Sequence, residues 1–314
     1  MPEKRPFTLE PDPTIVLEPK ERRRGPRTTL WRRMLAALVR PHPAPEWEPD
    51  PRTPEDTRRA GGLAVRRYRL PLPPQTPARI RIAFFSDLHW DRRLAGRKLP
   101  LAETVNEAAP DWILFGGDLT RFLESAASAR ELLARMTARR GKLAVLGNWE
   151  RRHTWRPVSF WRTLYRSAGF RLLVNEACTD TEPGQPVFVG NDDPRHGTPA
   201  CERPERRAAD GFVVRLTHSP DAAAVPGTPL SGNLILAGHT HAGQIRLPGF
   251  GALYTSSRFG KTFEYGWYRR RPDGARLYVT AGVGCTGWAP LRRRILCRPE
   301  LVILDLTRPI HENP

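Results

Sequence analysis

Five short apolar runs in this chain each end in a small-residue turn that presents a carboxylate, an amide or an imidazole. The run at 80–85 leads into Ser86-Asp87-Leu88-His89, that at 112–115 into Gly116-Gly117-Asp118, and that at 143–146 into Gly147-Asn148-Trp149-Glu150. Two later runs, 212–216 and 234–237, lead into Thr217-His218-Ser219-Pro220 and Gly238-His239-Thr240-His241. Runs this short, rich in Val, Ile, Leu and Phe, predict buried strands. Further strands are expected at 170–174, 187–189, 277–281 and 301–306. Helical spacing of Leu, Ala and Met falls at 97–109, 123–139 and 159–168, between the earlier strands only. Alternating strand and helix, then strand upon strand, implies an α/β fold with a mixed sheet or two packed sheets and helices outside.

Polar groups at the carboxyl ends of strands occupy the edge where α/β proteins build their sites. Asp87, His89, Asp118, Asn148, His218, His239 and His241 are therefore candidate metal ligands converging on one edge. In Asp-Leu-His and His-Thr-His the alternation puts both polar side chains on one face of an extended segment. Two cations held close together need an anionic oxygen between them, and Asp118 is free to be that bridge. Mixed nitrogen and oxygen donors suit manganese, iron or zinc better than calcium. Singly, each residue has a plainer reading as a helix cap, a turn residue or a polar loop residue; five such motifs in a row do not.

Composition bounds the rest. The chain has 314 residues, 39% of them hydrophobic, enough for one large domain with an appendage. Residues 1–62 are rich in Pro and charge and are expected to form an extended arm, with the folded domain at 63–314. Within the arm, Leu30, Trp31, Met34, Leu35 and Leu38 fall on one side of a short helix at 28–40, flanked by Arg32, Arg33 and Arg40. Two readings stand, an anchor on an anionic membrane surface through residues 20–40 or a helix packed on the domain; eight basic residues against the single acid Glu21 in that stretch favour the first. A net charge of +18 implies anionic partners, whether a phosphorylated small molecule, a lipid-linked substrate or nucleic acid. The four cysteines lack the short spacing of a zinc knuckle or redox dithiol, and neither a signal-peptide pattern nor a membrane-spanning apolar run is present. A cytoplasmic setting, peripheral on the inner face of the cell membrane, is the expectation.

The motif series Asp87-Leu88-His89, Gly117-Asp118, Gly147-Asn148-Trp149-Glu150, His218 and Gly238-His239-Thr240-His241 resembles the calcineurin-like metallophosphoesterases over residues 63–307. The segments at 188–194, 216–221 and 237–248, with the tail at 282–301, resemble the bacterial branch that includes membrane-associated phosphoesterases and UDP-2,3-diacylglucosamine diphosphatases of lipid A synthesis. The resemblance implies a four-layer α/β/β/α sandwich. It further implies one metal on Asp87, His89 and His241, a second on Asn148, His218 and His239, and Asp118 shared. Two divalent cations, Mn²⁺ foremost with Fe, Zn or Mg as alternatives, would support in-line attack by a bridging hydroxide on a phosphodiester or pyrophosphate, without a phosphoenzyme.

One position departs from the family pattern, which usually has His where this chain has Trp149. An indole cannot supply a proton at neutral pH. Either the leaving group is good enough to need no acid, or His153 takes over, or activity is impaired. Asp118, Asn148 and His153 are the candidate catalytic residues. Glu150 would orient its neighbours or face solvent, Asp192 and Asp193 would support structure, and Arg246 could reach a substrate phosphate. The aromatic and basic run at 259–271 would form a substrate wall, a surface for single-stranded nucleic acid, or a hairpin with cross-strand aromatic pairs. Retention of the fold for nucleic-acid binding, with weak catalysis, is the alternative function.

Overall fold

The computed structural model describes residues 44–74, 76, 79–97, 99–152, 155–180, 182, 184–199, 211–224, 232–287 and 292–308. The basic segment 20–40, with its expected helix at 28–40, and His153 lie outside the described residues.

The chain up to residue 172 supplies β1 (Trp47–Pro49), β2 (Asp56–Ala60), β3 (Leu63–Pro71), β4 (Arg79–Phe85), β5 (Trp112–Phe115), β6 (Gly141–Ala144) and β7 (Arg171–Leu172). The rest supplies β8 (Glu176–Cys178), β9 (Val187–Gly190), β10 (Val213–Leu216), β11 (Leu234–Ala237), β12 (Arg246–Leu247), β13 (Gly251–Ala252), β14 (Gly266–Arg270), β15 (Arg276–Val279) and β16 (Glu300–Thr307). They form two seven-stranded sheets, in the orders β2-β3-β16-β4-β5-β6-β7 and β1-β14-β15-β11-β10-β9-β8, and a two-stranded ribbon of β12 and β13. Strands β4 to β7 run parallel in one sheet, and β9, β10, β11 and β15 in the other.

Side-chain alternation explains the layering. Ile80, Ile82 and Phe84 of β4 and Trp112 and Leu114 of β5 enter a core shared with Phe188, Val214, Leu216, Leu234 and Leu236 of the opposite sheet. Their sequence neighbours Ala83, Phe85, Ile113 and Phe115 enter a second core on the outer face. A strand buried on both sides must be apolar at every position, which is why these runs do not alternate in polarity. Phe84 is fully buried between the sheets, and its truncation to Ala would cost about 3–5 kcal/mol. Over the outer core lie α2 (Leu101–Glu107), α3 (Ala126–Ala134) and α5 (Val158–Ser167), contributing Leu101, Val105, Leu133, Trp161 and Tyr165. Two one-turn helices, α1 (Arg92–Ala95) and α4 (Asn148–Arg152), follow β4 and β6.

Two mixed sheets with flanking helices are thus present as expected. Among the described residues, however, the second outer face is covered by 3₁₀ turns at Pro220–Ala224 and Gly260–Phe263 rather than α-helices. The folded region also begins before the expected boundary at 62. β1 pairs with β14 and β2 with β3, and Trp47 is buried, edge-on to Phe263 at 6.0 Å with Arg270 over its ring. Both are outer strands where Pro and charge are tolerated, so their sequences carry no strand-like apolar pattern. The helix expected at 97–109 is confined to α2, with Pro100 at its N-cap, and α1 lies before that segment.

Candidate metal centre

Asp87 and His89 stand on the turn after β4, Asp118 after β5, and Asn148 at the first position of α4 after β6. His218 follows β10, and His239 and His241 follow β11. The strands that feed these turns are parallel within each sheet, so one carboxyl edge collects all seven side chains.

Asp118 Oδ2 lies 3.4 Å from His89 Nε2 and 3.3 Å from His218 Nε2, midway between two groups of donors. On one side, His241 Nε2 is 3.1 Å from His89 Nε2 and 3.3 Å from Asp87 Oδ1. On the other, His218 Nε2 is 3.0 Å from Asn148 Oδ1 and 3.1 Å from His239 Nδ1. Asp87 is near enough to serve both groups, because Asp87, Asp118 and His218 each offer an atom within 4.8 Å of the others.

This packing of lone pairs fits divalent cations. Asp87 Oδ1 is buried and accepts no hydrogen bond among the described residues. An unmatched buried carboxylate oxygen is costly unless a cation meets it. His218 Nδ1 lies 2.8 Å from the Gly116 carbonyl, which needs the proton on Nδ1 and leaves Nε2 as a donor lone pair. Burial pulls His241 down to about 3 and, with the neighbouring His218, lowers His239, so both stay neutral and able to ligate. Burial opposes charging of His218 as well, yet the Asp118 carboxylate outweighs it and raises His218 well above the ordinary imidazole range. A positive charge is favoured beside Asp118, and a metal ion supplies one.

Glu150 braces the two turns that carry Asp118 and Asn148. It is 1% exposed, and its Oε2 accepts from Gly147 N at 3.0 Å and Asp118 N at 3.1 Å. Its Oε1 accepts from Leu119 N at 2.7 Å and from the Tyr165 hydroxyl at 3.2 Å. Burial and the adjacent Asp118 carboxylate push Glu150 up to about 7. Asp118 Oδ1 is fixed in turn by Trp149 N at 2.8 Å, which aims Oδ2 at the histidines. Gly147 is required for this approach, since a Cβ there would stand 2.1 Å from Asp118 Oδ1. Asp87, His89, Asp118, His239 and His241 all have positive φ, between 41° and 70°. Left-handed backbone at non-glycine residues costs about 1–2 kcal/mol apiece, and it concentrates where function demands a particular side-chain direction.

Residues 80–243 match the family model for calcineurin-like phosphoesterases. The chain belongs to that family. It is 32% identical to the metallophosphoesterase YkuE of Bacillus subtilis over 233 residues, covering 72% of this chain and 78% of that protein. It is 29% identical to the phosphodiesterase YaeI of Escherichia coli, covering 78% and 89%. A transmembrane protein with a metallophosphoesterase domain from Danio rerio is 30% identical, covering 74% of this chain and 54% of that protein. As a member of this family the chain is a metallophosphoesterase, a hydrolase of phosphoester bonds that works with divalent metal. No helix among its described residues is long and apolar enough to cross a membrane.

The remaining expectations divide in this metallophosphoesterase. All seven candidate ligands come together, and Glu150 is the buried orienting group rather than a solvent-facing one. The Trp149 ring packs edge-on against His89 at 5.2 Å. Asp192 takes a salt bridge from Arg151 of α4, and Asp193 Oδ2 caps the turn at His196 N, 2.7 Å away. The run at 259–271 is not an exposed aromatic surface: Phe259, Phe263, Trp267 and Tyr268 are buried, and β14 pairs with β15 in an antiparallel hairpin. Arg246 is paired with Glu264 at 2.8 Å. Arg294 goes unremarked in sequence reasoning, although its Nη2 lies 3.3 Å from His241 Nδ1 and 2.7 Å from the Ala281 carbonyl. Nothing distinguishes it from the other arginines of its basic run until the tail folds back on the metal turns.

Proposed function

We propose that this protein hydrolyses phosphodiester or pyrophosphate bonds with two divalent cations, Mn²⁺ foremost, held by the seven residues gathered here. Asp87, His89 and His241 hold one, Asn148, His218 and His239 the other, and Asp118 is shared. The position of Asp118 Oδ2 between His89 Nε2 and His218 Nε2 carries this reading. When bound, the cation pair supplies Lewis acidity that activates water and offsets the charge developing on the phosphoryl oxygens.

The protein's own groups set the geometry for that chemistry. Glu150 and the backbone of Trp149 hold Asp118, and the Gly116 carbonyl orients His218. Trp149 occupies the place of an acid without being one, so the substrate should carry a leaving group that departs unprotonated, such as a nucleotide phosphate. A lipid-linked nucleotide of the UDP-2,3-diacylglucosamine kind is the reading we favour, met at an anionic membrane surface through residues 20–40. Burial of the aromatic side chains in the 259–271 run supports hydrolysis of such a substrate over nucleic-acid binding.

The test is hydrolysis by the purified protein of bis-p-nitrophenyl phosphate and of UDP-2,3-diacylglucosamine with added Mn²⁺, alongside the Asp118→Asn variant. Manganese-dependent turnover lost in the variant is expected. Turnover that persists in Asp118→Asn, or none with any divalent metal, would overturn the reading; turnover of the diester but not the lipid nucleotide would remove only the finer assignment.

A further inference from the structure

Beside the metal centre, on the same strand edge, an open pocket of about 820 Å³ is ringed by arginines. Three of them are engaged. Arg66 pairs with Glu300 at 2.9 Å, Arg246 with Glu264 at 2.8 Å, and Arg294 donates to the carbonyls of Ala281 and Gly284, each at 2.7 Å. The other four, Arg93, Arg97, Arg293 and Arg298, are exposed and meet no carboxylate among the described residues. Glu300, the pocket's one lining carboxylate, does not offset them. It is 1% exposed and accepts from Tyr265 Oη at 2.6 Å, Tyr278 Oη at 3.0 Å and Thr280 Oγ1 at 2.7 Å as well as pairing with Arg66.

The pocket is linked to the metal centre through His241. Ala242 and Cys297 form part of its wall, Cys297 Sγ donates to the His241 carbonyl at 3.3 Å, and Arg294 stands 3.3 Å from His241 Nδ1. The wall of the pocket therefore reaches the His241 imidazole, whose Nε2 is one of the metal donors. Four guanidiniums around one concavity repel one another until an anion enters, and their planar donor forks match phosphoryl oxygens two at a time.

We propose that this pocket binds a second anionic group, of the phosphoryl class, carried by the substrate away from the bond that is cleaved. The proposal rests on the assignment of the cleaved group to the metal centre. It makes the preferred substrate one with two phosphoryl-class groups rather than an isolated diester. An anionic lipid headgroup would present the same chemistry to these arginines from a bilayer, with Leu296, 68% exposed, at the rim.

The experiment compares thymidine 5′-(p-nitrophenyl phosphate) with its 3′-phosphorylated counterpart, which share one leaving group and differ by one phosphate. The manganese enzyme is assayed beside the triple variant Arg93→Gln, Arg97→Gln, Arg293→Gln, with an unchanged unfolding midpoint as the folding control. The wild type should show a KM roughly 30-fold lower for the 3′-phosphorylated compound, and the variant should lose that advantage with kcat little altered. Equal KM values in the wild type, or an advantage kept in the variant, would overturn the proposal. A second arm needs no turnover: thymidine 3′,5′-bisphosphate should protect Arg93, Arg97 and Arg293 from phenylglyoxal, mapped by mass spectrometry. Protection by phosphatidylglycerol vesicles but not by the bisphosphate would overturn the substrate subsite in favour of a headgroup site. If neither compound is hydrolysed, the metal-centre reading fails, and the labelling arm still decides the pocket.

Discussion

Replacing Glu150 by glutamine leaves the volume of the side chain unchanged and turns one acceptor oxygen into a two-proton donor. In the native site each carboxylate oxygen receives two donors, Gly147 N and Asp118 N on Oε2, Leu119 N and Tyr165 Oη on Oε1. The glutamine oxygen can serve only one of these pairs. If it takes Gly147 and Asp118, the new amide faces Leu119 N–H and the Tyr165 hydroxyl; the hydroxyl can rotate to accept, and the amide N–H cannot. One buried donor is then orphaned, at a cost of about 1–3 kcal/mol. For a domain of this size that corresponds to a fall of about 4–8 °C in unfolding midpoint at the middle of the range. The second consequence concerns the metals. Loosening the turns of Asp118 and Asn148 should weaken divalent-ion affinity by roughly 10- to 100-fold, the usual cost of losing a group that orients a ligand. Thermal unfolding of the holo protein and calorimetric titration with Mn²⁺ measure the two effects separately. Wild-type stability and wild-type metal affinity in Glu150→Gln would refute the bracing argument. So would normal values of both with a depressed kcat, which would put Glu150 against the substrate instead.

Asp118→Asn should fold but lose activity by roughly 10³-fold, the kinetic equivalent of about 4 kcal/mol, with bound metal falling from two ions per chain towards one by elemental analysis. Chelation with EDTA should lower the unfolding midpoint, by an amount corresponding to about 2.7 kcal/mol if metal had been present at a hundredfold excess over its Kd; an unchanged midpoint would mean the cluster holds no ion. Gly147→Ala forces a methyl group to within 2.1 Å of Asp118 Oδ1 and should cost about 1–3 kcal/mol along with most activity. Gly266→Ala, at φ 93° with nothing within 4 Å, should pay a backbone cost only and keep its turnover. Trp149→His should raise the rate on diesters with poor alkyl leaving groups while changing p-nitrophenyl ester hydrolysis little; equal effects on both would remove the argument that the leaving group departs unprotonated.

The site was more legible than the fold because its residues announce themselves by type. A run such as Trp112 to Phe115, buried on both faces, followed by Gly-Gly-Asp, reads as strand and ligand together, and β5 and β11 have the expected bounds. β2, reading Asp-Thr-Arg-Arg-Ala, was not legible, since an exposed edge strand owes its form to the neighbour it pairs with. β3 was masked by three arginines, whose charges are absorbed elsewhere: Arg66 meets Glu300, Arg67 meets Asp305, and Arg69 meets Glu55. Those acids lie in other strands or loops, so the compensation appears only when the chain closes on itself. The same reasoning bears on the net charge of +18. As a sum it pointed equally to membrane, nucleic acid and phosphorylated substrate, whereas the fold shows which arginines are spent on internal carboxylates and carbonyls and that Arg93, Arg97, Arg293 and Arg298, gathered at one pocket, meet no carboxylate among the described residues. A charge total describes what a chain can attract; a cluster of arginines without carboxylate partners, gathered beside a metal centre, says where.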